Sequence, residues 1–118
     1  MFEITKRFTI EAAHFLPLVP DQHPCANMHG HSYVVEVSVA GELDEYGWVM
    51  DFAEIGSVFE PIRTLLDHRL LNDVAGLENP TSEIMSQWIF ESMRPNVPRL
   101  AWVKVSETAT SSSTYRPG

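Results

Sequence analysis

Phe2, Ile4, Phe8, Ile10, Ala12 and His14 share one parity at the start of the chain, while Glu3, Thr5, Arg7, Thr9 and Glu11 share the other. Only Lys6 interrupts the apolar set. Such period-two alternation predicts a half-buried strand. Pro17 and Pro20 break it, and the stretch through Met28 reads as loop. Alternation resumes with His31, Tyr33, Val35, Val37 and Val39 on one face and Ser32, Glu36 and Ser38 on the other. The segment from Gly41 to Gly47 then supplies turn material.

The middle of the chain changes period. Phe52, Ile55, Phe59, Ile62 and Leu66 fall three and four apart, the spacing of an amphipathic helix. Asp51 is its expected N-cap, with Glu54 placed as in a capping box. Pro61 lies inside this pattern and is expected to kink or interrupt the helix. Asn79-Pro80-Thr81-Ser82-Glu83 is dense in helix-start signals, with Asn79 or Thr81 as cap and Pro80 tolerated in a first turn. Ile84, Trp88, Ile89 and Met93 continue that second helix, and Pro95 and Pro98 end it. Ala101, Val103, Val105 and Glu107 alternate with Trp102, Lys104 and Ser106, which predicts another strand, and a weak strand is expected around Ser113 to Arg116. The order β-β-α-α-β-β implies an α+β fold, an antiparallel sheet with two helices on one face.

Composition narrows the class. The chain has 118 residues, no internal repeat and no shift in composition, so residues 1–118 read as one domain. With 8 Lys+Arg against 16 Asp+Glu the net charge is −8, which argues against binding nucleic acid through its phosphates. A single cysteine excludes an intrachain disulfide. No apolar run approaches the roughly 20 residues of a membrane span, and the alternation from Met1 onward does not resemble a signal peptide. The expectation is a cytoplasmic globular protein, and its small size makes burial between subunits an attractive source of stability.

The candidate chemistry lies on the buried parities. His29 and His31 are two apart, so a strand starting at His29 points both toward the side of Val35, Val37 and Val39. If the first two strands form an antiparallel hairpin, His14 at the end of one faces His29 and His31 at the start of the other. A lone histidine on an apolar face is usually a hydrogen-bonded core residue, and an H-x-H pair alone is a weak signal. Three neutral imidazoles at one sheet end, with no further histidine or thiolate completing the set, match a catalytic zinc ion with an open position. Cys25 is either a small buried hydrophobe or, with a lowered pKa, a reactive group. Asp67-His68 at the end of the first helix is either a solvated helix end or an oriented imidazole. Glu107 extends the inward stripe of Val103 and Val105, so it is either wet beyond the strand end or a buried carboxylate awaiting a partner.

Phe8-Thr9-Ile10-Glu11-Ala12-Ala13-His14, Cys25-Ala26-Asn27-Met28-His29-Gly30-His31, Asp67-His68-Arg69-Leu70-Leu71-Asn72, Asn79-Pro80-Thr81-Ser82-Glu83 and Glu107-Thr108 occur in that order. Together they resemble the 6-pyruvoyltetrahydropterin synthase superfamily over essentially the whole chain. The resemblance is strongest to the bacterial 6-carboxytetrahydropterin synthase branch of queuosine biosynthesis, which also has three residues between the cysteine and the first histidine of H-x-H. It implies the tunnelling fold, whose subunit sheets join into a barrel in a homo-oligomer, a hexamer of two stacked trimers. It implies that His14, His29 and His31 hold zinc and that Cys25 is the general base, with Asp67 and His68 as its proton relay from an adjacent subunit. It implies that Glu107, followed by Thr108, anchors the pterin ring. The implied substrate is the small molecule 7,8-dihydroneopterin triphosphate, converted to 6-carboxy-5,6,7,8-tetrahydropterin, acetaldehyde and triphosphate.

Two features depart from the family pattern. The segment from Thr108 to Thr114 lacks the cysteines some relatives carry, and Ser106 stands where many have a larger or charged residue. The triphosphate needs local cations, for which Lys6, Arg7, Lys104 and Arg116 are candidates, and His23 has no assigned role. Two rival functions fit the same residues: triphosphate elimination to the 6-pyruvoyl product, and a non-catalytic zinc-binding assembly module.

Overall fold

A computed structural model describes residues 1–118. Four strands, β1 (Phe2–His14), β2 (His29–Gly41), β3 (Leu100–Thr108) and β4 (Ser111–Tyr115), form one antiparallel sheet in the order β1-β2-β3-β4. Helices α1 (Phe52–Leu66) and α2 (Ser82–Met93) lie between β2 and β3 in the chain. The expected α+β layer arrangement is therefore present, and the weak last strand is β4, beginning two residues earlier than the sequence pattern suggests.

The parity of the strands decides what is buried. Phe8, Ile10, Val35, Val37, Val39, Val103 and Val105 meet Ile55, Phe59, Ile62 and Leu66 of α1 and Met85, Ile89, Phe90 and Met93 of α2 in one core. Phe8 and Phe59 stack with ring centroids 3.9 Å apart. Burying these side chains contributes about 1.5–3 kcal/mol each before entropy is counted. The register of the β1–β2 hairpin runs from Phe2↔Gly41 to His14↔His29, so both strand ends named by the histidines coincide.

Two local expectations need correction. Pro61 does not interrupt α1, which runs unbroken from Phe52 to Leu66. Pro61 and Ser57 are both exposed, so the carbonyl that loses its N–H partner faces water and the cost of the proline is reduced. Pro80 is not in the first turn of α2 but precedes the cap: Thr81 is the N-cap, its Oγ1 accepting from Ile84 N–H at 3.2 Å. Asp51 caps α1 as expected, accepting from Ala53 N–H at 2.8 Å.

After α1 the chain crosses back to the outer edge of β1. His68 N–H donates to Glu11 O at 2.6 Å and Ala13 N–H to Arg69 O at 3.0 Å, and Ala13 and Leu70 form a parallel bridge. Beyond the hairpin end, Asn72 clamps Phe15 by accepting its N–H and donating to its carbonyl, at 3.0 and 2.8 Å. No helix is long and apolar enough to cross a membrane.

Candidate metal centre

The hairpin register sets His14 directly opposite His29 and Ala12 opposite His31, all with side chains on the helix-covered face. One ring nitrogen from each of His14, His29 and His31 lies within 4.8 Å of the others. Backbone carbonyls fix the tautomers of two of them. His14 Nδ1 lies 2.8 Å from Pro80 O, and His29 Nδ1 lies 2.7 Å from Asn27 O. A carbonyl oxygen can only accept, so each Nδ1 carries the proton and each neutral ring presents a bare lone pair at Nε2. These two Nε2 atoms are 3.0 Å apart. Two lone pairs at that separation need a proton or a metal ion near them, and donation of the second ring N–H to a carbonyl is the usual support of a metal-bound histidine.

Electrostatics favour the same state. Burial pulls His14 below the usual imidazole range, outweighing the carbonyl of Pro80 and the charge of Glu107, which push it up. A neutral imidazole is the ligand-competent form. His31 Nε2 is buried with no hydrogen-bond partner, although Glu107 Oε2 is 3.1 Å away. The carboxylate is close but off the axis of that nitrogen, and the contact is one of charge rather than an aligned hydrogen bond. An orphaned buried nitrogen and two opposed lone pairs are what a metal ion would satisfy, and the three residues fit one.

Glu107 reaches the same point from β3. Its Oε2 is 3.9 Å from His14 Nε2 as well as 3.1 Å from His31 Nε2, and its side chain is 26% exposed. The structure thus turns the carboxylate inward, as its parity in the sequence suggests, and onto the histidines. Thr108 is exposed and supports the β3–β4 turn, its Oγ1 lying 2.7 Å from Ser111 Oγ. Tyr33, two residues after His31, is fully buried and packs edge-on against both His14 and His31, with centroids 5.8 and 5.3 Å away. Burial, with the charge of Glu107, pushes its phenol above the ordinary range.

Cys25 sits in a short 3-10 turn, Pro24–Ala26, within the loop joining β1 to β2. His23 caps this turn: its Nδ1 accepts from Cys25 N–H at 3.0 Å, and Leu16 N–H donates to Cys25 O at 2.7 Å. Cys25 is half-buried and unpaired. Asp67 and His68 stand at the other edge of β1. Asp67 Oδ1 accepts from Glu11 N–H at 2.9 Å, which holds its carboxyl below the usual range, and Oδ2 is 3.0 Å from His68 Nδ1. Within one chain no hydrogen bond joins Cys25 to Asp67 or His68. His68 instead lines an open cleft of about 570 Å³ with Glu11, His31, Ser32 and Arg69.

Several groups escape a sequence reading. The carbonyls of Pro80 and Asn27 have no side-chain signature, whereas Tyr33 shares the parity of His29 and His31 and was visible as a third polar group on that face. Of the expected cations, Arg7 is paired with Glu36 at 3.1 Å, Arg116 lies over Trp102 and Lys6 donates to Phe52 O at 3.1 Å. Arg69, in the cleft beside His31 and His68, forms no ion pair.

The family profile described as 6-pyruvoyl tetrahydropterin synthase matches residues 3–118. The chain is 42% identical to 6-carboxy-5,6,7,8-tetrahydropterin synthase of Synechocystis sp., covering 98% of this chain and 93% of that protein. It is 34% identical to the enzyme of the same name from Bacillus subtilis, covering 98% and 86%. Its fold superposes on 6-pyruvoyl tetrahydropterin synthase of Caenorhabditis elegans with a TM-score of 0.91, 28% identity and coverage of 99% and 96%.

Proposed function

The chain belongs to the 6-pyruvoyl tetrahydropterin synthase family, and on that footing we propose that residues 1–118 form one cytoplasmic zinc-dependent lyase domain. Its substrate is 7,8-dihydroneopterin triphosphate and its products are 6-carboxy-5,6,7,8-tetrahydropterin, acetaldehyde and triphosphate, a step toward queuosine-type 7-deazapurines. The observation that carries the metal centre is the 3.0 Å approach of two Nε2 lone pairs, one from His14 and one from His29. The choice of reaction rests on the two relatives of that name that match nearly the whole chain.

Zinc held by His14, His29 and His31 supplies Lewis acidity toward the oxygens of the substrate side chain and acidifies the adjacent C–H bonds. The other roles belong to the chain itself. Cys25 is the base that removes and returns the carbon-bound proton, from a turn fixed by His23. Asp67 orients His68 through the 3.0 Å contact, and His68 resets the thiol. Glu107 leaves the histidines to accept the ring N–H and exocyclic amine of the pterin, a charge-assisted two-point contact, with Thr108 beside it.

Because Cys25 and His68 are not joined within one chain, the reading assigns them to neighbouring subunits of a homo-oligomer, a hexamer of two stacked trimers. The open N-terminal half of the outer edge of β1 and the free edge of β4 suit edge-to-edge joining of sheets into a barrel. The reading is tested by product analysis after incubation with 7,8-dihydroneopterin triphosphate. The carboxylated pterin and acetaldehyde are expected; accumulation of the 6-pyruvoyl product would assign the elimination reaction instead. Cys25→Ala is expected to abolish turnover with zinc retained, whereas a zinc-binding assembly module would be indifferent to that change.

A further inference from the structure

A fully buried tyrosine hydroxyl with no partner stands beside the metal centre and has no part in the scheme above. Tyr33 is 0% exposed, and its Oη has no hydrogen-bond partner. Leaving a buried hydroxyl unsatisfied costs about 1–3 kcal/mol, so the group is expected to gain a partner in another state of the site. Its location names that partner. The β2–β3 ladder ends at Val34↔Ser106, and Tyr33 and Glu107 are the next residues of the two strands, continuing the inward parity of Val35 and Val105. The Glu107 carboxylate lies 3.1 Å from His31, whose ring packs 5.3 Å from that of Tyr33. Glu107 is also the one charge acting on the phenol.

Glu107 has a reason to move. Its Oε2 lies 3.1 Å from His31 Nε2, the nitrogen that a metal would need. Once that nitrogen is given to a metal, the carboxylate remains partly buried and requires a donor. The phenol carries its proton at neutral pH, and a carboxylate nearby can only accept that proton's hydrogen bond. On the reading that His14, His29 and His31 bind zinc, we propose that Tyr33 is a positioning residue whose hydroxyl donates to Glu107 when zinc displaces that carboxylate from His31. The tyrosine thereby stabilises the displaced carboxylate and favours release of His31 Nε2 to the metal.

Zinc titration of metal-free protein tests this, with variants Tyr33→Phe, Glu107→Gln and the double substitution. Tyr33→Phe is expected to weaken zinc binding roughly ten-fold, the scale on which groups supporting metal ligands act. In the Glu107→Gln background the same change is expected to have a clearly smaller effect, because the charge to be held is gone. The melting temperature of metal-free Tyr33→Phe is expected to equal or exceed that of the parent, since only an unpaired hydroxyl is removed. Equal zinc affinity in parent and Tyr33→Phe overturns the proposal while leaving the zinc site intact. So does an equal loss in both backgrounds, which would mark a purely structural role for the ring. Absence of stoichiometric zinc in the parent itself overturns the metal reading and this proposal with it.

Discussion

His68 has φ +59°, the left-handed region that non-glycine residues adopt at a cost of about 1–2 kcal/mol. It is kept there by its own N–H on Glu11 O and by the carboxylate of Asp67 on Glu11 N–H, so the two backbone groups of one strand residue set the imidazole's position. Its side chain is 78% exposed, and replacing it removes no packing. His68→Gly is therefore expected to raise the stability of the chain by about 1 kcal/mol in urea unfolding while abolishing turnover. A loss of stability would show that the imidazole, not the backbone, holds the turn. Asp67 adds a pH dependence. Its folded pKa is lowered, chiefly by Glu11 N–H, so the unfolded chain binds a proton first as acid is added. The contribution is present in full above about pH 4 and lost as the pH falls through the folded value. Asp67→Asn keeps an oxygen for Glu11 but has nothing to protonate, so its stability gap from the parent should be widest near pH 7 and shrink as the pH falls below about 4.

At the level of elements, the start of α2 supports the candidate metal centre. Thr81 caps the helix, and the residue before it, Pro80, offers its carbonyl to His14 Nδ1. Loss of the cap should therefore loosen His14 as well as a helix. Thr81→Ala is expected to cost about 1 kcal/mol of stability and to weaken zinc binding several-fold, whereas Thr81→Ser should restore both; a stability loss with unchanged zinc affinity would uncouple the two. This coupling was not readable in the sequence, because a backbone carbonyl carries no residue signature and its place depends on how α2 packs. The strands were readable. The apolar parity of β1 and β2 fixes which face is buried, and the His14↔His29 pairing follows from two alternations of similar length. Pro61 misled because the penalty for a proline depends on which side of the helix faces water, a tertiary fact. The docking of Asp67 onto Glu11 was invisible for the same reason: it joins residues 56 apart through a turn that exists only once α1 lies on the sheet.

For the whole molecule, the two ends of the sheet are the open question. In β1 the backbone groups of Thr9, Glu11 and Ala13 point outward, where Arg63 binds Thr9 O, Asp67 and His68 bind both groups of Glu11, and Arg69 O accepts from Ala13 N–H. By the same alternation Glu3, Thr5 and Arg7 present outward groups that nothing in the chain pairs. A 13-residue strand left half open at an edge is a template for another strand, and β4 offers the other edge. Thr5→Pro removes an outward N–H without breaking an intrachain ladder bond, so it is expected to yield a smaller species in sedimentation that still melts cooperatively. If assembly also completes the active site, two inactive variants should repair each other. Cys25→Ala subunits retain His68, and His68→Ala subunits retain Cys25. Mixed one to one, dissociated and reassembled, they are expected to regain turnover at about one quarter of the sites, those pairing an intact thiol with an intact imidazole from a neighbour. Activity that stays at the background of the separate variants would place both groups in the same subunit, and the outer edge of β1 would then serve assembly without serving the chemistry.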